Sequence, residues 1–207
     1  MWYAYMSRLL LTIGAPKVVL ECISRVNRYM RTARQTENNV ERNKLLSKSL
    51  FLLSVYSEHE DAIQNMSFDE NNDFSTPEML GKRSQSNAFL CATHIYIYRS
   101  LLDVPPQTVR TYVAETFSHV SAFFAENTGN FSIWPAFIAA VEAYTLEDQA
   151  SARCWLDRAT VFGLGNRALI RRVVEEVWRQ RATLSEASGL EHGKLAVDWR
   201  PVMQELN

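Results

Sequence analysis

The sequence predicts an all-α fold, an irregular multi-helix bundle of about seven helices in a single domain, residues 1–207. The 207 residues include only seven glycines and six prolines. An all-β chain would need a turn about every 8 to 12 residues, so this scarcity of turn formers favours long helices with few connections. Apolar residues also recur at steps of three and four through nearly every segment. With 47% hydrophobic residues, a chain of this length buries a substantial core.

The amino-terminal helices are predicted within residues 1–66. The first runs from Pro16 to about Gln35, with Pro16 in the first turn, where proline is tolerated. Its apolar face consists of Val19, Cys22, Ile23, Val26, Tyr29, Met30 and Ala33. Four arginines recur every three residues, so on a helix of 3.6 residues per turn they spiral away from one stripe. Arg25, Arg28, Arg31 and Arg34 therefore indicate a solvated face rather than a row of phosphate contacts.

A second helical pattern, from about Glu37 to Met66, is consistent with one long helix or with two. The apolar period then stops. Residues 67–86 are acidic, rich in asparagine and interrupted by Pro77, which predicts a flexible polar loop before the core at 87–207.

Five further helices are predicted in residues 87–207. The first is apolar almost all round, as expected of a central, buried helix, and Pro105-Pro106 separates it from the second. Gly163 and Gly165 are suited to end the fourth. The predicted ranges are Asn87–Leu102, Gln107–Glu126, Trp134–Tyr144, Leu146–Phe162 and Arg167–Ser188.

The net charge of −1 hides an asymmetry along the chain. Residues 1–50 contain nine Lys or Arg and three Asp or Glu, whereas residues 51–78 contain seven acids and no Lys or Arg. This block reversal predicts solvated faces or internal ion pairs. A non-specific nucleic-acid surface on the basic first 50 residues is the alternative.

The sequence predicts no metal and no cofactor. The three cysteines, Cys22, Cys91 and Cys154, are far apart and odd in number, which indicates a reducing compartment rather than a disulfide framework. Cys91 and His94 share a helix face, but zinc requires four ligands and no second close pair follows. We therefore interpret both as packing residues.

No catalytic residue is predicted either, so the expected protein is not an enzyme. The adjacent carboxylates, Glu147-Asp148 and Glu175-Glu176, fall at solvated helix positions, and the main hydrolase, metalloprotease and phosphate-loop motifs are absent. The alternative is a helical enzyme that binds a small molecule. The acidic run 69–73 resembles a magnesium-diphosphate motif only superficially, because it lies in a polar loop and lacks a second acidic motif on a facing helix.

Large aromatic residues are predicted on the inner faces of consecutive helices, where most form the core: Tyr96, Trp134, Phe137, Trp155, Phe162 and Trp178. Converging aromatic side chains in a helical bundle also leave apolar cavities. Tyr96, Trp134, Phe137 and Trp178 are therefore our candidate pocket for a hydrophobic ligand.

Five short stretches carry a resemblance to a known family. They are Ala92-Thr93-His94-Ile95-Tyr96-Ile97-Tyr98-Arg99, Trp134-Pro135-Ala136-Phe137-Ile138-Ala139, Gly163-Leu164-Gly165-Asn166, Val177-Trp178 and Asp198-Trp199-Arg200-Pro201-Val202-Met203. In order and spacing, residues 84–207 resemble the carboxy-terminal half of the fungal-specific regulatory domain of zinc-binuclear-cluster transcription factors, especially the arginine-metabolism-regulator type.

The resemblance implies part of a larger helical regulatory domain. Such a domain controls transcription through protein partners, self-association or a small ligand, in the nucleus, with the cytoplasm as the alternative. The family's six-cysteine zinc cluster has no counterpart among the three cysteines, so this chain alone is not expected to bind DNA specifically. No segment approaches the roughly 20 apolar residues of a membrane span.

A shortened family domain is expected to expose an apolar patch and to associate with a protein partner or with itself. The candidate association surface is the apolar start of the chain: Trp2, Tyr3, Tyr5, Met6, Leu9, Leu10 and Ile13.

Overall fold

A computed structural model describes residues 15–33, 39–67, 76–126, 131–161 and 166–207 of the protein. These residues form eight α-helices and two short 3-10 helices, with no strand among them, so the all-α prediction is confirmed. The α-helices are α1 (Lys17–Ala33), α2 (Asn39–Ser67), α3 (Pro77–Leu101), α4 (Arg110–Ala125), α5 (Ile133–Glu142), α6 (Leu146–Val161), α7 (Asn166–Ser188) and α8 (Trp199–Leu206).

The two amino-terminal helices pack against each other and against α3. The inner face of α1 buries Val19, Cys22, Ile23 and Val26, and the thiol of Cys22 donates to the carbonyl of Ser49 at 3.8 Å. The segment predicted as one helix or two is the single helix α2, which buries Ser49 and Leu53 on one side. On the opposite side, Val40, Phe51 and Val55 are exposed.

The loop predicted at residues 67–86 is wrong at Ser67, which ends α2, and over residues 77–86, which form the first turns of α3. The hydroxyl of Thr76 accepts a hydrogen bond from the amide of Met79 at 3.3 Å, and Pro77 occupies the first turn. Lys82 pairs with Glu78 at 2.7 Å. An N-cap, a proline and an acidic residue are together a helix start signal. The polar composition reflects solvent exposure of these turns, and residues 68–75 lie outside the described ranges.

Helix α3 is the axis of the fold, because it packs against α1, α2, α4 and α5. The prediction of a central buried helix is confirmed here. Its residues with no exposed surface are Ala88, Phe89, Ala92, Thr93, Ile95 and Ile97. After Leu101, residues Pro106–Val109 form a 3-10 helix that leads into α4.

Helix α5 is the most deeply buried element, and it packs against α3, α4, α6 and α7. Every residue from Trp134 to Glu142 is buried, although the helix is only ten residues long. Such a helix must be apolar on all sides. Its last residue is nevertheless charged: the carboxylate of Glu142 lies buried in the core.

The carboxy-terminal segment folds back onto the bundle. α7 ends at Ser188, where Gly189 adopts a φ of 71° and its amide donates to the carbonyl of Ser185 at 2.8 Å. In the 3-10 helix His192–Lys194, a Cβ at Gly193 would lie 2.8 Å from the ring of Tyr144. Helix α8, which the sequence did not predict, then packs on α7. At eight residues it is too short for apolar periodicity to reveal.

Candidate functional site

The four residues of the predicted ligand pocket are all buried, and each has a packing or hydrogen-bond contact in the core. Tyr96 and Trp134 meet edge to face with ring centres 5.9 Å apart. Phe137 instead packs on Trp199 at 5.0 Å. The indole nitrogen of Trp178 donates to the carbonyl of Ala140 at 2.8 Å. These contacts place the four side chains in the core, and a ligand pocket among them stays a prediction.

A groove of about 460 Å³ lies at a different place, between α4 and α6. Its floor is apolar and aromatic, and its rim carries one cation, Arg158, whose guanidinium lies 5.1 Å from the ring centre of Phe124. The lining residues are Phe117, Val120, Ser121, Phe124, Ala125, Ala150, Ser151, Cys154, Trp155 and Arg158. Phe117, Val120 and Phe124 lie within the predicted helix Gln107–Glu126, but the groove that they line depends on where α6 packs.

The core also contains a cluster of three charged side chains from α3, α5 and α7, which sequence reasoning missed. Arg99 Nε donates to Glu142 Oε1 at 2.8 Å. On the other side, Arg181 Nη2 lies 3.8 Å from Glu142 Oε2, an oxygen that accepts no hydrogen bond from a described residue. Arg181 and Glu142 are 1% and 3% exposed. One carboxylate therefore lies between two guanidinium groups in the core.

The guanidinium groups of this cluster are held mainly by main-chain oxygens. Arg181 donates to the carbonyls of Leu195, Ala143 and Val141 at 3.1, 3.0 and 2.9 Å. Arg99 donates to the carbonyl of Val104 at 2.7 Å. The five donors of a guanidinium allow such multiple contacts, which here join helix ends and the carboxy-terminal segment to the core.

Burial favours a lower pKa for both arginines, but the net shifts have opposite directions. It lowers the pKa of Arg181, an effect that Glu142 opposes and the positive charge of Arg99 reinforces. It also lowers the pKa of Arg99, but there the Glu142 and Asp103 carboxylates outweigh it, so the pKa ends above its ordinary value. Because a guanidinium stays protonated in proteins, both arginines carry charge at pH 7. The cluster is thus suited to a structural role rather than to proton transfer.

The side chains of Cys91 and His94 both contact neighbouring protein groups on α4. The thiol of Cys91 donates to Glu115 Oε2 at 3.5 Å, and the His94 ring stacks on Tyr112 at 4.7 Å. Burial, and then the Glu115 carboxylate, raise the pKa of Cys91 to about 12. A thiol that is neutral at pH 7 is a poor nucleophile and a poor metal ligand. Within the described ranges, no three His, Cys, Asp or Glu residues are grouped so as to hold a metal ion.

The arginines of α1 are partly engaged by neighbours on the same helix. Arg25 pairs with Glu21 at 3.5 Å, and Arg31 donates to the carbonyl of Asn27 at 3.2 Å. Arg28 and Arg31 are exposed, which agrees with the solvated face that the sequence predicted, whereas Arg25 is half-buried. Arg34 lies outside the described residues.

An apolar surface is present on α2. Val40, Phe51 and Val55 are 78%, 67% and 46% exposed, and all three lie on the side of the helix opposite its buried residues. We call this surface the α2 face. The predicted association surface, Trp2, Tyr3, Tyr5, Met6, Leu9, Leu10 and Ile13, falls outside the described residues, as do Phe162, Gly163, Gly165 and the acidic run 69–73.

The family model for the fungal specific transcription factor domain matches residues 3–207, nearly the whole chain. No curated protein and no solved structure matches significantly. Among the described helices, none is long and apolar enough to cross a membrane.

Proposed function

The chain belongs to the fungal-specific transcription factor domain family, and we propose that it controls transcription in the nucleus through protein contacts rather than through catalysis. The observation that supports contact with a protein is the α2 face. Phe51, at its centre, is a large apolar side chain 67% exposed to solvent. Exposed aromatic residues grouped with other apolar residues are typical of protein interaction sites.

The rest of the molecule forms a well-packed support for the α2 face. The buried cluster of Arg99, Glu142 and Arg181 ties three helices together, and α5 is enclosed by four neighbours. α2, by contrast, packs on α1 and α3 with one side only and leaves the other to solvent. A partner bound there would therefore meet a preformed surface.

A reporter assay tests this proposal. The full chain is fused to an unrelated DNA-binding module, and transcription is compared with that given by the module alone. We expect the fusion to change transcription and Phe51→Asp to remove the change. Leu184→Asp is the matched control, because Leu184 is also exposed, at 45%, but lies on α7. A fusion indistinguishable from the module alone would contradict the proposal.

The α4–α6 groove favours a second candidate function, the binding of a small amphipathic anion. Its apolar floor, which includes Phe117 and Trp155, suits a hydrophobic body, and Arg158 at the rim suits a carboxylate. Ligand pockets are commonly apolar with a few polar groups that fix orientation.

For DNA, we propose weak binding without sequence preference by this chain alone. The net charge is −1, and Arg25 of the basic segment already pairs with Glu21. Binding dominated by phosphate contacts falls steeply between about 50 and 200 mM salt. A mobility-shift series over this range should show that fall, and tight, sequence-selective binding at physiological salt would contradict the proposal.

A further inference from the structure

The α2 face has a regular geometry along the helix. At about 100° per residue, Val40, Phe51 and Glu58 point within about 20° of one another, and Lys44 lies about 20° from Phe51. All of these side chains are exposed. The buried residues Ser49 and Leu53 lie on the opposite side, against α1 and α3. The apolar residues of the α2 face and the charged residues Lys44 and Glu58 therefore lie along one straight stripe, and from here on the α2 face includes these two charges.

Its charges are arranged symmetrically about Phe51. Lys44 precedes Phe51 by seven residues and Glu58 follows it by seven, which is about 10.5 Å in each direction along the axis. The same polarity extends along the helix, because residues 39–48 include Arg42, Lys44 and Lys48 against one acid, while residues 49–67 include acids and no Lys or Arg. The amino-terminal half of α2 is thus positive and the carboxy-terminal half negative.

We propose that the α2 face binds the α2 face of a second copy of this chain, with the two helices antiparallel. This proposal rests on the proposed function, since it names the partner of that same surface. A two-fold axis at Phe51 places the two Phe51 rings against each other. Because of the equal seven-residue spacing, each Lys44 then faces Glu58 of the other copy.

The charge pattern favours a second copy of the chain as the partner and an antiparallel orientation of the two α2 helices. When the two helices are antiparallel, the positive half of each α2 lies against the negative half of the other. When they are parallel, the positive halves lie together and so do the negative halves. A surface that is complementary to itself under a two-fold rotation is what a symmetric dimer requires. Helix α2 has 29 residues and is about 43 Å long, and only its exposed arc is used. An interface of this kind belongs to the small, weak class, so we expect a reversible dimer.

Sedimentation velocity on the purified full chain, over a series of concentrations, tests the dimer. We expect concentration-dependent dimerisation that weakens as salt rises, because exposed charge pairs are screened. Phe51→Asp should raise the dimer dissociation constant at least about tenfold. Met79→Asp is the control, since Met79 is 58% exposed but lies on α3. Circular dichroism confirms that each variant remains helical.

A charge exchange tests the antiparallel arrangement itself. Lys44→Glu and Glu58→Lys should each weaken the dimer, because each creates like-charge contacts, and the double variant should restore it. A wild-type chain that stays monomeric, or a dimer that Phe51→Asp leaves intact, overturns the proposal. A double variant weaker than either single variant overturns the antiparallel register.

The two assays separate this proposal from the proposed function. A monomeric wild-type chain whose reporter effect is still lost in Phe51→Asp would overturn the dimer and support a different protein partner. A dimer that Phe51→Asp disrupts without changing the reporter would support the dimer and contradict its role in transcription.

Discussion

Arg99 and Glu142 form a charge-assisted hydrogen bond of 2.8 Å in the core, with side chains only 9% and 3% exposed. Arg181 lies on the other side of the same carboxylate, 3.8 Å away. Two guanidinium groups thus share one negative charge. Buried charges are tolerated only when they are paired and hydrogen-bonded, and here the main-chain carbonyls supply most of the further acceptors.

Glu142→Gln should therefore be strongly destabilising, by about 3 to 5 kcal/mol, because it leaves Arg181 buried without a counter-charge and Arg99 with only the exposed carboxylate of Asp103. Urea denaturation followed by circular dichroism measures the loss. Glu147→Gln is the matched control, since Glu147 pairs with Arg110 at 3.5 Å but is 84% exposed. It should cost less than about 1 kcal/mol. Equal losses in the two variants would contradict a structural role for the buried cluster.

Trp178→Ala should lower the free energy of unfolding by about 3 to 5 kcal/mol. Trp178 is 8% exposed, and its indole nitrogen ties α7 to the carbonyl of Ala140 in α5. The substitution opens a cavity and removes the side-chain hydrogen bond between α7 and α5, so that the carbonyl of Ala140 keeps only the bond from the amide of Ala143 at 3.2 Å. Chemical denaturation is again the measurement, with Leu184→Ala on the same helix as an exposed control. A loss below about 1 kcal/mol would show that the α5–α7 contact contributes little.

Substitutions at Lys82 test whether the start of α3 is a helix or a loop. Lys82 lies inside α3 and is exposed, so its replacement by alanine should have little effect. Lys82→Pro should cost about 3 kcal/mol or more, because proline removes a helical hydrogen bond and its ring clashes with the preceding turn. Thermal and urea unfolding of the two variants would show the difference. If both retained wild-type stability, residues 77–86 would be the loop that composition suggested.

Most helices could be predicted because burial imposes a period of 3.6 residues on the sequence. That signal is absent where a helical segment is mostly exposed or where the helix is short. The first turns of α3 are exposed, so they carry polar residues, and only Thr76, Pro77 and Glu78 mark the helix start. α8 has eight residues, too few to show a period, although Asp198 caps it by accepting from the amide of Arg200.

The candidate sites could be predicted less well, because each depends on residues far apart in the chain. Arg99 and Glu142 are 43 residues apart, and no spacing rule joins them. One signal was present: Glu142 ends an otherwise apolar helix, and a carboxylate in that setting calls for a buried partner. Likewise, periodicity identified the apolar residues of α4, but whether they are covered by α6 or line a groove beside it depends on helix packing.

Stability should fall with acid because of two partly buried histidines. Burial lowers the pKa of His94 below 6.5, with Glu115 opposing, and burial also lowers the pKa of His119. The unfolded chain therefore takes up protons first as the pH drops below about 6.5, and stability is lost until the pH passes the folded-state pKa values. Well above pH 6.5 both residues are neutral in either state, and this contribution is constant.

Urea denaturation between pH 8 and pH 5 measures this dependence. His94→Gln should flatten the acid-side loss, whereas His192→Asn, at an exposed position, should leave it unchanged. A wild-type profile that rises as the pH falls would contradict the direction of both shifts.

The α4–α6 groove predicts stabilisation by hydrophobic carboxylates. At about 100 times its dissociation constant, a ligand that binds only the folded chain raises stability by about 2.7 kcal/mol. Thermal-shift measurements with fatty acids and aromatic acids should show this, and the matching uncharged alcohols should bind less well because they lose the ionic contact with Arg158.

Two arginines on α6 distinguish this groove from the pocket first predicted in the core. Arg158 lies over Phe124 at the rim of the groove, whereas Arg153 lies 5.1 Å from the ring centre of Trp178. Both side chains are exposed, so neither substitution should unfold the chain. Arg158→Gln is expected to reduce the carboxylate-induced shift and Arg153→Gln to leave it unchanged. The reverse result would place the ligand beside Trp178, and no shift with any compound in the wild-type chain would argue against a ligand at either place.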